Sequence, residues 1–246
     1  MNYYFEEKLI EGTIVKRKSQ FTMVINIDGT EVVAHCPTTG RIGDIGLRDV
    51  PCLVSKSKDP KRKTPYTVEA VSCDLPEKKD KNWIGINQIL SNKLVEYFLN
   101  QHMLDEMVGE FDTVKREVVL GNSKLDFLVG NIYMEVKTPL TTLNVAYSDA
   151  IKTKKVTSFS STERFTKHVK ELAGSLQSHE KAILLSVFQY EITEKKERQK
   201  STHYDEVRST MLDAIKKGTE TWEVSMKFRP EGVELLSLRN TSSEII

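Results

Sequence analysis

The stretch Lys124–Lys137, KLDFLVGNIYMEVK, decides how the longer part of the chain folds. Val129 and Ile132 flank Gly130-Asn131, a dipeptide suited to a two-residue hairpin loop because glycine supplies the positive-φ corner. Counting outward from that loop, Val129 faces Ile132, Leu128 faces Tyr133, Phe127 faces Met134 and Asp126 faces Glu135. Directly opposed carboxylates have β-carbons roughly 5 Å apart and repel one another. Lys137 follows Glu135 by two residues and so shares its face. A hard divalent cation would relieve the repulsion, since Mg²⁺ prefers oxygen ligands and keeps several waters. It would polarise a phosphoryl oxygen and acidify a bound water, with Lys137 steadying the water or the developing charge. Asp126 followed by Glu135-x-Lys137 thus reads as a phosphodiesterase site using Mg²⁺ or Mn²⁺. The alternative is a solvated strand face on which Lys137 or Lys124 neutralises the acids as weak surface ion pairs.

Around this hairpin the pattern alternates between strand and helix. SNKLVEYFL predicts a helix with Ser91 as N-cap, and Leu94, Val95 and Phe98 on its apolar face. REVVL predicts another strand. ERFTKHVKELAGSL predicts a helix with Phe165, Val169, Leu172, Ala173 and Leu176 in one stripe. AILLSVFQY reads as a buried strand, and YDEVRSTMLDAIKKG as a helix closed by Gly218. WEVSMKF and GVELLSL form a hairpin around Pro230-Glu231-Gly232. Interleaved strands and helices predict a mixed α/β domain. Toward the N-terminus the texture is purely β: LIEGTIVK, FTMVINI, TEVVAHC, DVPCLVSK and YTVEAVSC, punctuated by Asp28-Gly29, Thr39-Gly40 and Pro60. Five short strands predict a small barrel of the OB type. The polar run PEKKDKN breaks the pattern, which places the domains at 1–80 and 81–246.

Composition limits the alternatives. The 246 residues carry 39% hydrophobic and 29% charged side chains, a globular balance, and a net charge of +1. Any affinity for nucleic acid must therefore come from local clusters of charge. Three cysteines, with no close pairing and no CxxC, argue against a disulfide framework or a zinc site and for a reducing compartment. No apolar signal core or membrane span is evident, so a cytoplasmic protein without membrane contact is expected.

Other residues join the candidate site. Glu96, on the helix before the hairpin, could reach a shared metal with Asp126 and Glu135, or simply face solvent. His168 and Glu171 stand at i,i+3 beside the apolar stripe of their helix, as metal or phosphate ligands or as ordinary polar residues at a core edge. In the barrel, Lys16, Arg17 and Lys18 end the first strand, and Lys56, Lys58, Lys61, Arg62 and Lys63 crowd the segment between the last two. In an OB barrel these are the first and fourth connecting loops, which grip oligonucleotides. Phe21, Tyr66 and His35 would supply stacking surfaces. Lysine-rich loops can equally be no more than soluble loops.

With these residues in hand, the chain resembles the sugar fermentation stimulation protein family. AHCPTTGR (Ala34–Arg41), DPKRKTPYTVE (Asp59–Glu69) and INQILSNKLVE (Ile86–Glu96) resemble successive motifs of that family. SKLDFLV with IYMEVK resembles its Asp and Glu-Val-Lys strands, and ERFTKHVKEL its basic helix motif. The resemblance implies an OB-like domain joined to a restriction-endonuclease-like PD-(D/E)XK core, and a DNA-binding role associated with sugar metabolism. It carries the nuclease pattern onto Glu96, Asp126, Glu135 and Lys137, and the helix motif onto Arg164, Lys167, His168 and Glu171. It also adds Arg41 to the nucleic-acid contacts. Ser91 stands where the family has proline, Phe165 where it has glycine and Thr38 where it has asparagine. FSST (159–162) replaces the segment expected before Arg164.

Two functions follow as expectations. One is a Mg²⁺- or Mn²⁺-dependent deoxyribonuclease, acting on single- or double-stranded DNA. The other is a non-catalytic DNA-binding regulator built on the same scaffold. A homodimer is compatible with either.

Overall fold

Strand-forming residues at alternate positions leave the N-terminal segment no helical face to bury, so its strands satisfy their backbones by closing on one another. The computed structural model describes residues 2–158 and 162–244, so the FSST stretch, Thr162 apart, lies outside the described residues. After a short β1 (Asn2–Tyr4) come β2 (Ile10–Ser19), β3 (Thr22–Ile27), β4 (Thr30–His35), β5 (Pro51–Lys56) and β6 (Tyr66–Ser72). They run in the order β4-β3-β2-β5-β6, and a parallel pairing of β4 with β6 closes the barrel (Ala34 with Tyr66, His35 with Thr67). Ile14, Met23, Ile25, Val54 and Val68 fill it, together with Cys36 and Cys52. Cys36, Cys52 and Cys73 are buried free thiols. This is the expected five-stranded barrel.

The chain continues through β7 (Trp83–Gly85), α1 (Gln88–Asn100), α2 (Asp105–Val108), β8 (Val114–Leu120), β9 (Ser123–Val129), β10 (Ile132–Lys137) and α3 (Glu163–Ser175). It ends with β11 (Lys181–Phe188), α4 (Tyr204–Lys216), β12 (Glu220–Arg229), β13 (Gly232–Asn240) and a 3₁₀ turn at Ser242–Glu244. β10, β11 and β12 are parallel neighbours, while β8, β9 and β13 add antiparallel partners, so this half is a mixed sheet. One face buries α1 against Phe127, Met134, Ile183 and Val224; the other buries α3 and α4 against Tyr133 and Leu184.

β7 is not evident from sequence, because three residues show no period. It pairs with β6 on one side and meets β12 at Phe228 on the other, which makes barrel and mixed sheet one hydrogen-bonded surface. Gly85 sits at that seam, where an added Cβ would lie 2.6 Å from Gln189 Cβ and 3.0 Å from the Phe228 ring. Gly85→Ala is therefore expected to cost about 2 kcal/mol through overpacking and to lower Tm by about 4–8 °C. Thermal unfolding followed by circular dichroism checks this, and an unchanged Tm would show that the seam can relax.

The expected cap of α1 needs correction. Ser91 lies within the helix with its hydroxyl buried and unpartnered, and the N-cap is Asn87, whose side chain accepts from Ile89 N and Leu90 N. Asn87 also donates to Glu69 Oε2 at 2.7 Å, and Glu69 Oε1 accepts from Ser55 Oγ at 2.6 Å. A buried barrel carboxylate thus sets where α1 starts. That contact is invisible in a local pattern.

Candidate active site at a strand fork

Gly130 takes the positive φ the loop requires (+54°), and the first three facing pairs are as counted: Val129 with Ile132, Leu128 with Tyr133, Phe127 with Met134. The fourth differs. The ladder stops at Phe127 and Met134, and Asp126 and Glu135 are not a ladder pair. Instead Asp126 Oδ2 accepts from Val136 N at 2.8 Å, so a side chain takes the donor that a regular ladder would satisfy with backbone. Leu125 packs with the α3 cluster whereas Phe127 packs with the α1 cluster, so β9 turns over at Asp126. On β8, between the pairs that flank Asp126, Glu117 holds φ +55°, a rare conformation for a residue with a Cβ. Strands β9 and β10 therefore fork at the acids.

The acid face is not the solvated strand face of the alternative reading, because α3 covers it. Glu135 is 3% exposed and His168 5%. His168 Nδ1–H donates to Glu135 Oε1 at 2.6 Å, and Lys137 Nζ donates to the same oxygen. Glu135 Oε2 is buried with no hydrogen-bond partner among the described residues. Asp126 Oδ1 accepts from Asn92 Nδ2 at 2.8 Å. Burial first, and the neighbouring Glu135 carboxylate second, push Asp126 above the ordinary carboxylate range, against the pull of Val136 N–H, Asn92 and Lys137. The two acids are thus close enough to oppose one another's charge.

Sequence reasoning does not find Asn92. It stands one helical turn before Glu96 on α1, and the signals for it are that i,i+4 spacing and its place in the INQILSNKLVE stretch that resembles a family motif. Glu96 is directed elsewhere: its Oε2 accepts from Arg116 Nη1 at 3.1 Å. Glu171 and Lys167 are not at the acids either. Glu171 Oε1 accepts from Asn122 N at 3.2 Å and Lys167 Nζ donates to Asn122 O at 2.8 Å, so one helical turn of α3 clamps the β8–β9 turn. Arg164 is exposed at the start of α3.

A cation fits the residues present. An unpartnered buried carboxylate oxygen is costly, and a neighbouring acid held above its usual range adds to that cost. Asp126 and Glu135 would hold the ion, with the Asn92 amide beside them. Among the described residues no group of three or more His, Cys, Asp or Glu side chains forms a metal cage. Mg²⁺ does not need one, since it binds through one or two carboxylates and retains water.

The basic residues divide into two sorts. Lys16 and Lys18 are exposed, but Arg17 spends its guanidinium on the carbonyls of Ser19, Gln20, Thr38 and Gly40, at 2.6–3.3 Å. Arg41 donates to Thr157 O at 2.6 Å and Gln199 Oε1 at 2.9 Å, tying the barrel to the second half. Both therefore organise loops as well as carrying charge. Lys56, Lys58, Lys61, Arg62 and Lys63 are exposed, with Lys58 paired to Glu6. Pro60 suits the second position of the turn closed by Arg62 N to Asp59 O (3.2 Å), which presents the basic run outward. His35 pairs with Thr22 on one side and Thr67 on the other, so the first and fourth barrel loops flank the end of β4. Phe21 is 49% exposed beside them.

Fold and site define a class: an OB barrel sharing a sheet with a mixed α/β domain in which a strand fork gathers two acids and a lysine. Residues 15–86 match the family described as SfsA N-terminal OB domain, and residues 89–232 match the sugar fermentation stimulation protein RE domain. The chain belongs to the sugar fermentation stimulation protein family. It is 34% identical over 196 residues to a homolog from Prochlorococcus marinus (strain MIT 9301), covering 74% of this chain and 75% of that one. A homolog from Synechocystis sp. (strain ATCC 27184 / PCC 6803 / Kazusa) is 30% identical over 242 residues, 94% of each chain. Among solved structures it is similar to Pyrococcus furiosus SfsA, described in complex with Ca²⁺, with TM-score 0.74, 18% identity and 97% of each chain covered. An OB domain in this family suggests nucleic-acid binding. No helix among the described residues is long and apolar enough to cross a membrane.

Proposed function

We propose that this protein binds DNA through its barrel loops and hydrolyses phosphodiester bonds at the β9–β10 fork with Mg²⁺ or Mn²⁺. The observation that carries the reading is the buried, unpartnered Glu135 Oε2 beside an Asp126 that resists ionisation. The Ca²⁺ complex of the Pyrococcus furiosus relative supports a hard-cation site. When bound, the cation supplies Lewis acidity and an acidified water. Asp126 and Glu135 would hold it, and the Asn92 amide orients Asp126. Lys137 donates to the water or to the phosphoryl oxygen gaining charge, and His168 fixes the Glu135 carboxylate. Glu171 and Lys167 hold the β8–β9 turn, and with it the register of β9.

The test is incubation of purified protein with single-stranded and duplex DNA in Mn²⁺ or Mg²⁺, beside Lys137→Ala prepared identically. Loss of cleavage in the variant is expected. Equal cleavage by both proteins would identify a contaminant and remove the assignment.

One observation favours a non-catalytic DNA-binding regulator instead: Lys137 and His168 both already occupy Glu135 Oε1. The two readings share the barrel. Lys61→Glu with Arg62→Glu is expected to weaken DNA binding at least about tenfold at 0.15 M salt and to flatten its salt dependence, through lost phosphate contacts. Fluorescence anisotropy across a salt series measures both. Binding that ignores salt would count against the loop.

A further inference from the structure

We infer that a second basic site, between the barrel and the segment after β10, anchors backbone phosphates of the DNA strand held at the fork. This deepens the DNA-binding reading above and rests on it. The site is a cleft of about 450 Å³ with Lys16, Arg17, Arg41, Arg48 and Lys154 along its walls, and no acidic side chain among the described residues lines it. Arg17 and Arg41 donate to carbonyl and amide oxygens, which orient their guanidinium groups without cancelling the charge. Arg48 has a loose contact with Asp49, at 3.8 Å with both side chains more than 80% exposed. Five like charges thus meet in one concavity of a chain whose net charge is +1. Such a cleft concentrates an anion.

Both halves of the chain build it. Gly46 N donates to Lys152 O and Lys154 N to Asp44 O, each at 2.7 Å, and Ile45 bridges to Thr153, so Lys154 is delivered onto the barrel wall. The same stitching ties the cleft to the acids. Gly43, on its lining, donates to Leu140 O at 2.7 Å, and Leu140 follows Lys137 by three residues. Three residues span at most ~11 Å and a bonded pair of backbones adds about 5.5 Å, so Gly43 lies no more than about 17 Å from Lys137. At about 3.4 Å per nucleotide in a stacked strand, that is five phosphates or fewer. A strand lying at the fork therefore reaches the cleft. Among the described residues the lining includes no aromatic ring to stack a base, which favours recognition of the backbone.

Arg48 and Lys154 are exposed, so truncating both leaves the fold intact, which thermal unfolding verifies. Binding of a labelled 20-nucleotide single strand is measured in EDTA for wild type and for Arg48→Ala with Lys154→Ala. Losing two phosphate contacts on single-stranded DNA is expected to flatten the slope of log K against log salt by about 1.4, and to weaken binding about fifteenfold at 0.15 M salt. Wild-type binding with an unchanged variant affinity and slope overturns the anchor alone. Tight wild-type binding of dAMP that the variant loses overturns it in favour of a small-anion pocket. A wild type that binds neither single-stranded nor duplex DNA overturns the reading on which the inference rests.

Discussion

Glu135→Gln is expected to lower metal-dependent DNA cleavage by about 10³-fold or more while leaving DNA affinity in EDTA within about twofold of wild type. The side chain keeps its size, so packing beneath α3 is preserved. What changes is the charge that would hold the cation, and the acceptor now shared by Lys137 and His168. In the variant an amide nitrogen replaces one carboxylate oxygen, and Asp126 alone brings negative charge to the ion. Its own ionisation should then become easier, because the Glu135 charge is among the causes that raise it. Binding is spared because Glu135 is buried and the phosphate contacts are assigned to basic side chains elsewhere. A variant that cleaves like wild type would remove the fork from the chemistry. One that loses DNA affinity in EDTA would place Glu135 in a structural role instead.

Raising the pH is expected to unfold the protein steeply, and buried thiols are the reason. Burial pushes Cys52 and Cys73 from 9.0 to about 12, and Tyr190 from 10.0 to about 12. The unfolded chain releases these thiol protons near pH 9, whereas the folded chain retains them. Between those values the unfolded state binds fewer protons, so stability falls as pH rises, by up to about 1.4 kcal/mol per pH unit for each group. Two thiols together approach roughly 8 kcal/mol by pH 12, comparable with the whole stability of an ordinary domain. Urea unfolding at intervals from pH 7.5 to 10.5 measures the slope for wild type and for Cys52→Ala with Cys73→Ala. The variant starts less stable because its core is emptier, and its stability should fall less steeply above pH 9. Parallel curves would show that these thiols are not sequestered in the native barrel.

Much of this molecule is legible one segment at a time. The five barrel strands, the Gly130-Asn131 loop with its first three facing pairs, α3 with its apolar stripe and the β12–β13 hairpin all follow from local period and turn chemistry. β1 and β7 do not, because three residues carry no period and gain their place only by pairing with β13, β6 and β12. The cap of α1 escapes local reading for a related reason. Ser91 is a good N-cap in isolation, yet Asn87 is the residue that Glu69 of the barrel holds in place.

The site divides in the same way. Residue order alone brought Asp126, Glu135 and Lys137 to one hairpin, because a two-residue loop leaves the strands no choice of register. Tertiary structure decided that the ladder would part at Asp126, that α3 would bury Glu135 under His168, and that Asn92 rather than Glu96 would steady Asp126. It also turned Glu171 and Lys167 toward Asn122, and stitched residues 152–154 to the barrel so that Lys154 joined Arg48. The physical reason is range. Backbone sterics and hydrogen bonding act over a few residues and can be read in order, whereas burial of a charge and the partner it finds depend on segments far apart in the chain.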